Sequence, residues 1–105
     1  MAVHAEISII PISRKGGTSM SREVAAAFDA VRKTRGVKAT LTALGTQIEA
    51  KDVGSVLRAV KAAHAAVRKK GAARIISSIR IDERLDSDQT LADKVRSVKR
   101  ELRPE

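Results

Sequence analysis

The stretch VKATLTALGTQIEA (37–50) holds two short alternating runs with only a few residues between them, turning near Leu44-Gly45. Val37, Ala39 and Leu41 give the first run one apolar face, and Ile48 does so for the second. A connection this short joins antiparallel neighbours, because a parallel pair needs a crossover of about a dozen residues or more. Whatever precedes and follows must therefore be built around a central hairpin.

On each side of the hairpin the pattern is one strand and one helix. Residues 3–12 alternate, with Val3, Ala5, Ile7 and Ile9 on one face and His4, Glu6, Ser8 and Ile10 on the other. After the loop SRKGGTS a helix is predicted from about Met20 to Arg35, with Ser19 or Ser21 as its cap, Val24, Ala27, Phe28 and Val31 as its stripe, and Gly36 as its stop. Beyond the hairpin, Asp52 caps a helix whose stripe is Val53, Val56, Leu57, Val60, Ala63, His64 and Val67, and Gly71 ends it. Residues 73–82 read as a fourth strand. A last helix over 91–102 aligns Leu91, Val95, Val98 and Leu102, with Thr90 and Asp93 spaced as a capping box.

The order is βαββαβ plus one helix. It predicts an α+β, ferredoxin-like fold: an antiparallel sheet in the order 4-1-3-2 with both main helices on one face, and an extra C-terminal helix. At 105 residues, a single domain spanning 1–105 buries roughly 60–70% of its unfolded surface, enough for one core. There is no cysteine to staple it or to bind metal. The opening MAVHAEISIIPIS already alternates like a strand rather than a secretion signal, so a cytoplasmic protein with no membrane contact is expected.

This topology leaves one face of the sheet without helices. That face collects Glu6, Ser8, Ile10, Thr40, Thr42, Leu44, Gln47, Glu49, Ile76, Ser78, Arg80 and Asp82. An antiparallel sheet can leave such a face in water. Glu6 and Glu49, however, fall on neighbouring strands, and like charges side by side call for a cation among them, either Arg80 or a ligand. The small hydroxyl residues Ser8, Thr40, Thr42 and Ser78 leave room beside them, as small-ligand sites require.

The formal net charge of +9, from 21 Lys+Arg against 12 Asp+Glu, suggests a second function class, nucleic-acid binding. Its cations group at helix ends: Arg32, Lys33 and Arg35, then Arg68, Lys69 and Lys70, with Lys94, Arg96, Lys99, Arg100 and Arg103 on the last helix. Cations at helix C-termini favourably meet the helix dipole, which is the plainer account. Phe28 is the only aromatic residue, so no platform exists on which bases could stack.

The segments ALGTQIEA (43–50), VKAAHAAVRKKGAARIISSIRIDER (60–84) and DQTLADKV (88–95), with the opening AEISIIPIS (5–13), together resemble a family of small thiamine-binding proteins. The resemblance covers nearly the whole chain. It implies a ferredoxin-like subunit that assembles through the open faces of its sheets, as dimers or tetramers, and binds thiamine or its hydroxymethylpyrimidine part without catalysis or a cofactor. On that reading Glu49 is the main acceptor, with Thr46 or Thr42 as hydroxyl partners, and Glu6, Ser8, Ser78, Arg80 and Asp82 complete the site. An aminopyrimidine offers donors and acceptors that match carboxylates and hydroxyls, and a thiazolium carries a fixed positive charge.

The remaining reactive side chains have plainer roles. His64 lies in a helical apolar stripe and is expected to be a satisfied core histidine. His4 has no histidine or carboxylate nearby at metal spacing, so no metal site is expected. SRKGGTS lacks the order of a phosphate-binding loop. With two histidines in separate roles no catalytic triad can be drawn, and the expectation is a protein that is not an enzyme.

Overall fold

The computed structural model describes residues 2–13 and 19–103. Its elements are β1 (Val3–Ser13), α1 (Ser21–Arg32), β2 (Val37–Leu41), β3 (Thr46–Ala50), α2 (Val53–Lys69), β4 (Ala72–Glu83) and α3 (Leu91–Glu101). The four strands form one antiparallel sheet in the order β2-β3-β1-β4, which is 4-1-3-2 read from the other edge. SRKGGTS lies largely in 14–18, outside the described residues.

Strand parity decides the core. Val3, Ala5 and Ile7 of β1 and Ile48 and Ala50 of β3 face Ala27 and Val31 of α1 and Val56, Ala59, Ala63 and Val67 of α2, and all are buried. The alanines on α2 let the two helices pack on each other across the sheet. Leu41, Ile79 and Ile81, which share this parity, remain exposed. They lie on β2 and β4, the edge strands, where the layer has a neighbour on one side only.

Helix ends follow their local chemistry, with one exception. Met20 occupies the N-cap position of α1 with φ −117° and ψ 10° and no capping side-chain bond, so neither Ser19 nor Ser21 caps it. A residue in that conformation does not have the extended backbone from which a cap side chain reaches the free N–H groups. The helix also ends at Arg32, before Arg35. A turn through Thr34, whose N–H donates to Val31 O at 3.0 Å, leads to Gly36 at φ +81°. A Cβ there would lie 2.9 Å from Ser55 Oγ, in a backbone region that L-residues avoid.

Asp52 caps α2 as expected. Its Oδ1 accepts from the Ser55 N–H and from Ser55 Oγ, both at 2.7 Å, and these bonds hold its pKa below the usual 3.8. A carboxylate whose pKa is lowered on folding stabilises the fold above its unfolded pKa, and that contribution is lost in acid. Asp52→Ala is therefore expected to lower Tm by roughly 4–8 °C at pH 7. In thermal melts over a pH series the difference from wild type closes as pH falls below 3.8.

At α3 the capping box is complete. Thr90 Oγ1 accepts from the Asp93 N–H at 3.0 Å, and Asp93 Oδ2 accepts from the Thr90 N–H at 2.9 Å. The helix buries no residue of its own, and Val95, Val98 and Leu102 are exposed.

Candidate ligand-binding site

The register of the central strands sets out the open face row by row. His4 pairs with Glu49 on β3 and with Asp82 on β4. The next row places Glu6 between Gln47 and Arg80. Beyond it β3 has ended, and Ser8 pairs only with Ser78 and Ile10 only with Ile76. Charged groups thus concentrate where all four strands lie side by side, with Lys38 and Thr40 of β2 completing the two rows, and only hydroxyl and apolar pairs follow where β1 and β4 continue alone.

The first turn of α3 lies over the polar rows. The Leu91 N–H donates to Glu49 Oε1 at 2.6 Å, and Lys94 Nζ donates to Asp82 Oδ2. Glu49 is only 8% exposed, and its carboxylate stands at a helix N-terminus, where negative charge is favoured. The hydrogen bond from Lys94, followed by its charge, holds the Asp82 carboxyl below the usual 3.8. Arg80 Nη2 stands 4.0 Å from Glu6 Oε1 with both side chains in solvent, an ion pair too loose and too wet to be strong.

Between sheet and turn is a cavity of about 230 Å³ lined by His4, Ala5, Glu6, Gln47, Arg80, Asp82, Leu91 and Lys94. Pockets that enclose drug-sized ligands run to roughly 300–1,000 Å³, so this one suits a single heterocycle. His4 is 5% exposed, and its Nε2 is the one buried side-chain polar atom without a hydrogen-bond partner among the described residues.

The structure divides the site residues expected from sequence. Glu6, Arg80 and Asp82 line the cavity, and Glu49 adjoins it through Leu91. Ser8 and Ser78 share the face, one row away. Thr46 does not belong with them: it has the parity of Ile48 and pairs with Ile7, so it is buried on the helix side. Thr42 lies past the end of β2, and its hydroxyl donates to Gly45 O at 2.6 Å, closing the hairpin. Both threonines line a second cavity of about 230 Å³, off the end of β3, with Ile7, Ile9, Met20, Val24 and Leu41.

Sequence reasoning did not include His4, Gln47, Leu91 or Lys94 in the site. His4 shares the parity of Glu6, a usable signal. The position of α3 over the sheet has none, because a capping box fixes where a helix starts but not where it lies.

His64 Nε2 and Ser77 Oγ are 2.8 Å apart, joining α2 to β4, and neither lines either cavity. This is the satisfied histidine expected from sequence. Among the described residues no group of three or more His, Cys, Asp or Glu could hold a metal ion, and no helix is long and apolar enough to cross a membrane. Of the cations behind the nucleic-acid alternative, Arg32 and Lys33 pair with Asp29 and Arg96 pairs with Asp93.

Residues 5–99 match the family described as "Thiamine-binding protein". A UPF0045 protein of Methanothermobacter thermautotrophicus is 41% identical over 100 residues, covering 95% of this chain and 99% of that protein. Among solved structures, a hypothetical protein of Methanocaldococcus jannaschii superposes with a TM-score of 0.82 at 36% identity, over 94% of this chain and 98% of its own. A Thermotoga maritima protein whose name carries a provisional thiamine biosynthesis/salvage assignment has a TM-score of 0.66 at 19% identity, over 91% of this chain and 97% of its own, a likeness of fold alone.

Proposed function

The chain belongs to the thiamine-binding protein family, and from that premise we propose that it binds thiamine, or its hydroxymethylpyrimidine part, without catalysing a reaction. The observation that carries this is the cavity beneath α3. Three carboxylates, Glu6, Glu49 and Asp82, stand in or beside it, with Arg80 and Lys94 in its lining and Lys38 paired across the strands with Glu49. The carboxylates suit a cationic thiazolium, and the cavity volume suits one pyrimidine ring. Ser8 and Ser78 extend the polar surface on the next row. Thr42 and Thr46, which face the other cavity, take no part.

We read the whole chain as one ferredoxin-like domain, cytoplasmic, working as a homodimer or homotetramer. The exposed Ile10 and Ile76 on the open face and the exposed stripe of α3 support a second copy that closes the site.

Calorimetric titration with thiamine and with hydroxymethylpyrimidine tests the proposal. Saturable binding with a Kd in the micromolar range is expected, about −8 kcal/mol. If both ligands bind only at millimolar concentration or not at all, and gel shifts at low salt show a complex with RNA or DNA, the nucleic-acid alternative replaces it.

A further inference from the structure

β4 closes one side of the sheet. β1 pairs with it on one flank, and among the described residues no strand lies on the other. No backbone bond from outside the sheet reaches residues 72–83 either, so alternate N–H and C=O groups along a 12-residue strand point outward unmatched. Such an edge is a template for another chain, and proteins ordinarily blunt it with a proline, a bulge or a covering loop. β4 contains no proline, and its one irregularity against β1 lies at its start, opposite Ile12 and Ser13. Ile79 and Ile81 on the helix side and Ile76 on the open side are exposed along this same edge. The opposite edge, β2, has only five residues to offer a partner.

Resting on the homo-oligomer read above, we propose that a second copy of this chain lays its own β4 antiparallel against this one, joining two four-stranded sheets edge to edge about a two-fold axis at Ser78. An axis perpendicular to the sheet keeps the helices of both copies on one side, so each residue meets one of its own parity. With Ser78 opposite Ser78, Arg74 of each copy stands opposite Asp82 of the other, and Ile75 opposite Ile81, over residues 73–83 of both strands. Arg74 has no ion pair among the described residues, and Asp82 gives only Oδ2 to Lys94. The neighbouring registers lose this match. With Ser77 on the axis Arg74 meets Arg80, and with Ile79 on it Asp82 meets Ile76 and Glu83 meets Ile75. Opposite charges across a strand pair are favourable and like charges destabilising, so the charges along β4 select one register. Arg80 and Asp82 line the cavity beneath α3, and in that register Ile76 and Arg74 of the second copy stand beside them, at the flank of the ligand site.

The chain has no cysteine, so single cysteines report the register without competition. Light scattering of the wild type at micromolar concentration is expected to give a dimer or a larger assembly. Under mild oxidation Ser78→Cys forms a covalent dimer at least tenfold faster than Ile76→Cys or Arg80→Cys. Residues opposite each other at the axis have Cα atoms about 4.5–5.5 Å apart, within disulfide reach, whereas equivalent residues two positions away are offset by roughly 13 Å along the strands. Arg74→Glu, on an exposed side chain that lines neither cavity, is expected to weaken the dimer roughly tenfold in sedimentation while circular dichroism stays that of wild type. Adding Asp82→Arg to it restores part of the loss. An oligomer in which the three cysteine variants cross-link alike, or not at all, overturns the inference and leaves the homo-oligomer standing. A dimer unmoved by Arg74→Glu overturns the register. A wild type that is monomeric at micromolar concentration removes the homo-oligomer and this inference together, while ligand binding is decided separately by the calorimetric titration.

Discussion

Glu49→Gln is expected to lower thiamine affinity by tenfold or more and to loosen the start of α3. The side chain keeps its size and one acceptor oxygen but loses its charge. At 8% exposure that charge is poorly screened, both toward a cationic ligand and toward the helix N-terminus above it. Hydrogen bonds to charged groups contribute about 1.5–3 kcal/mol against about 1 for neutral ones. A difference of that order is one decade in affinity for the ligand contact. For the contact to Leu91 it is faster amide exchange at the first turn of α3. Titration reads the first effect and hydrogen exchange the second. Unchanged affinity with faster exchange at Leu91 would make Glu49 a helix anchor and no part of the ligand site.

Ile48→Ala is expected to be the most destabilising of the single changes considered. Ile48 is 0% exposed on β3, and its partners on the two neighbouring strands are Ala5 and Ala39. Side chains that small cannot swing in to fill the space, so the cavity stays open and the cost falls in the upper part of the roughly 2–5 kcal/mol seen for such truncations. Against a total stability of about 5–15 kcal/mol that is a large share. At roughly 4–8 °C per kcal/mol, the melting transition moves down by ten degrees or more. Leu44→Ala is the control: at 88% exposure on the hairpin tip, it stays within about 0.5 kcal/mol of wild type. Ile48 points away from the open face, so ligand affinity measured well below the new midpoint should match wild type. A melting curve that moves by only a degree or two would show that the core closes around the gap.

Elements and their ends were legible in the sequence wherever a local rule applied. Asp52 and Thr90 cap their helices because a side-chain oxygen two or three residues before free N–H groups needs no tertiary help. Gly36 and Gly71 mark reversals because only glycine adopts their positive φ freely. The start of α1 was misread because serines flank it while Met20, in the wrong conformation for a cap, occupies the position itself. Parity along β1 and β4 was read correctly and brought Glu6, Arg80 and Asp82 to one face. The same rule, followed strictly, would have placed Thr46 with Ile48 on the other.

Hydrophobic period, caps and turn glycines are properties of residues a few positions apart, and through them the amino-acid sequence by itself determined the number, type and order of the elements and the two faces of the sheet. Where α3 lies, and therefore that Glu49 holds Leu91 and that Lys94 meets Asp82, was decided only by tertiary structure. Those contacts join residues 12 to more than 40 positions apart, and no periodicity within a segment records which distant surface it will meet.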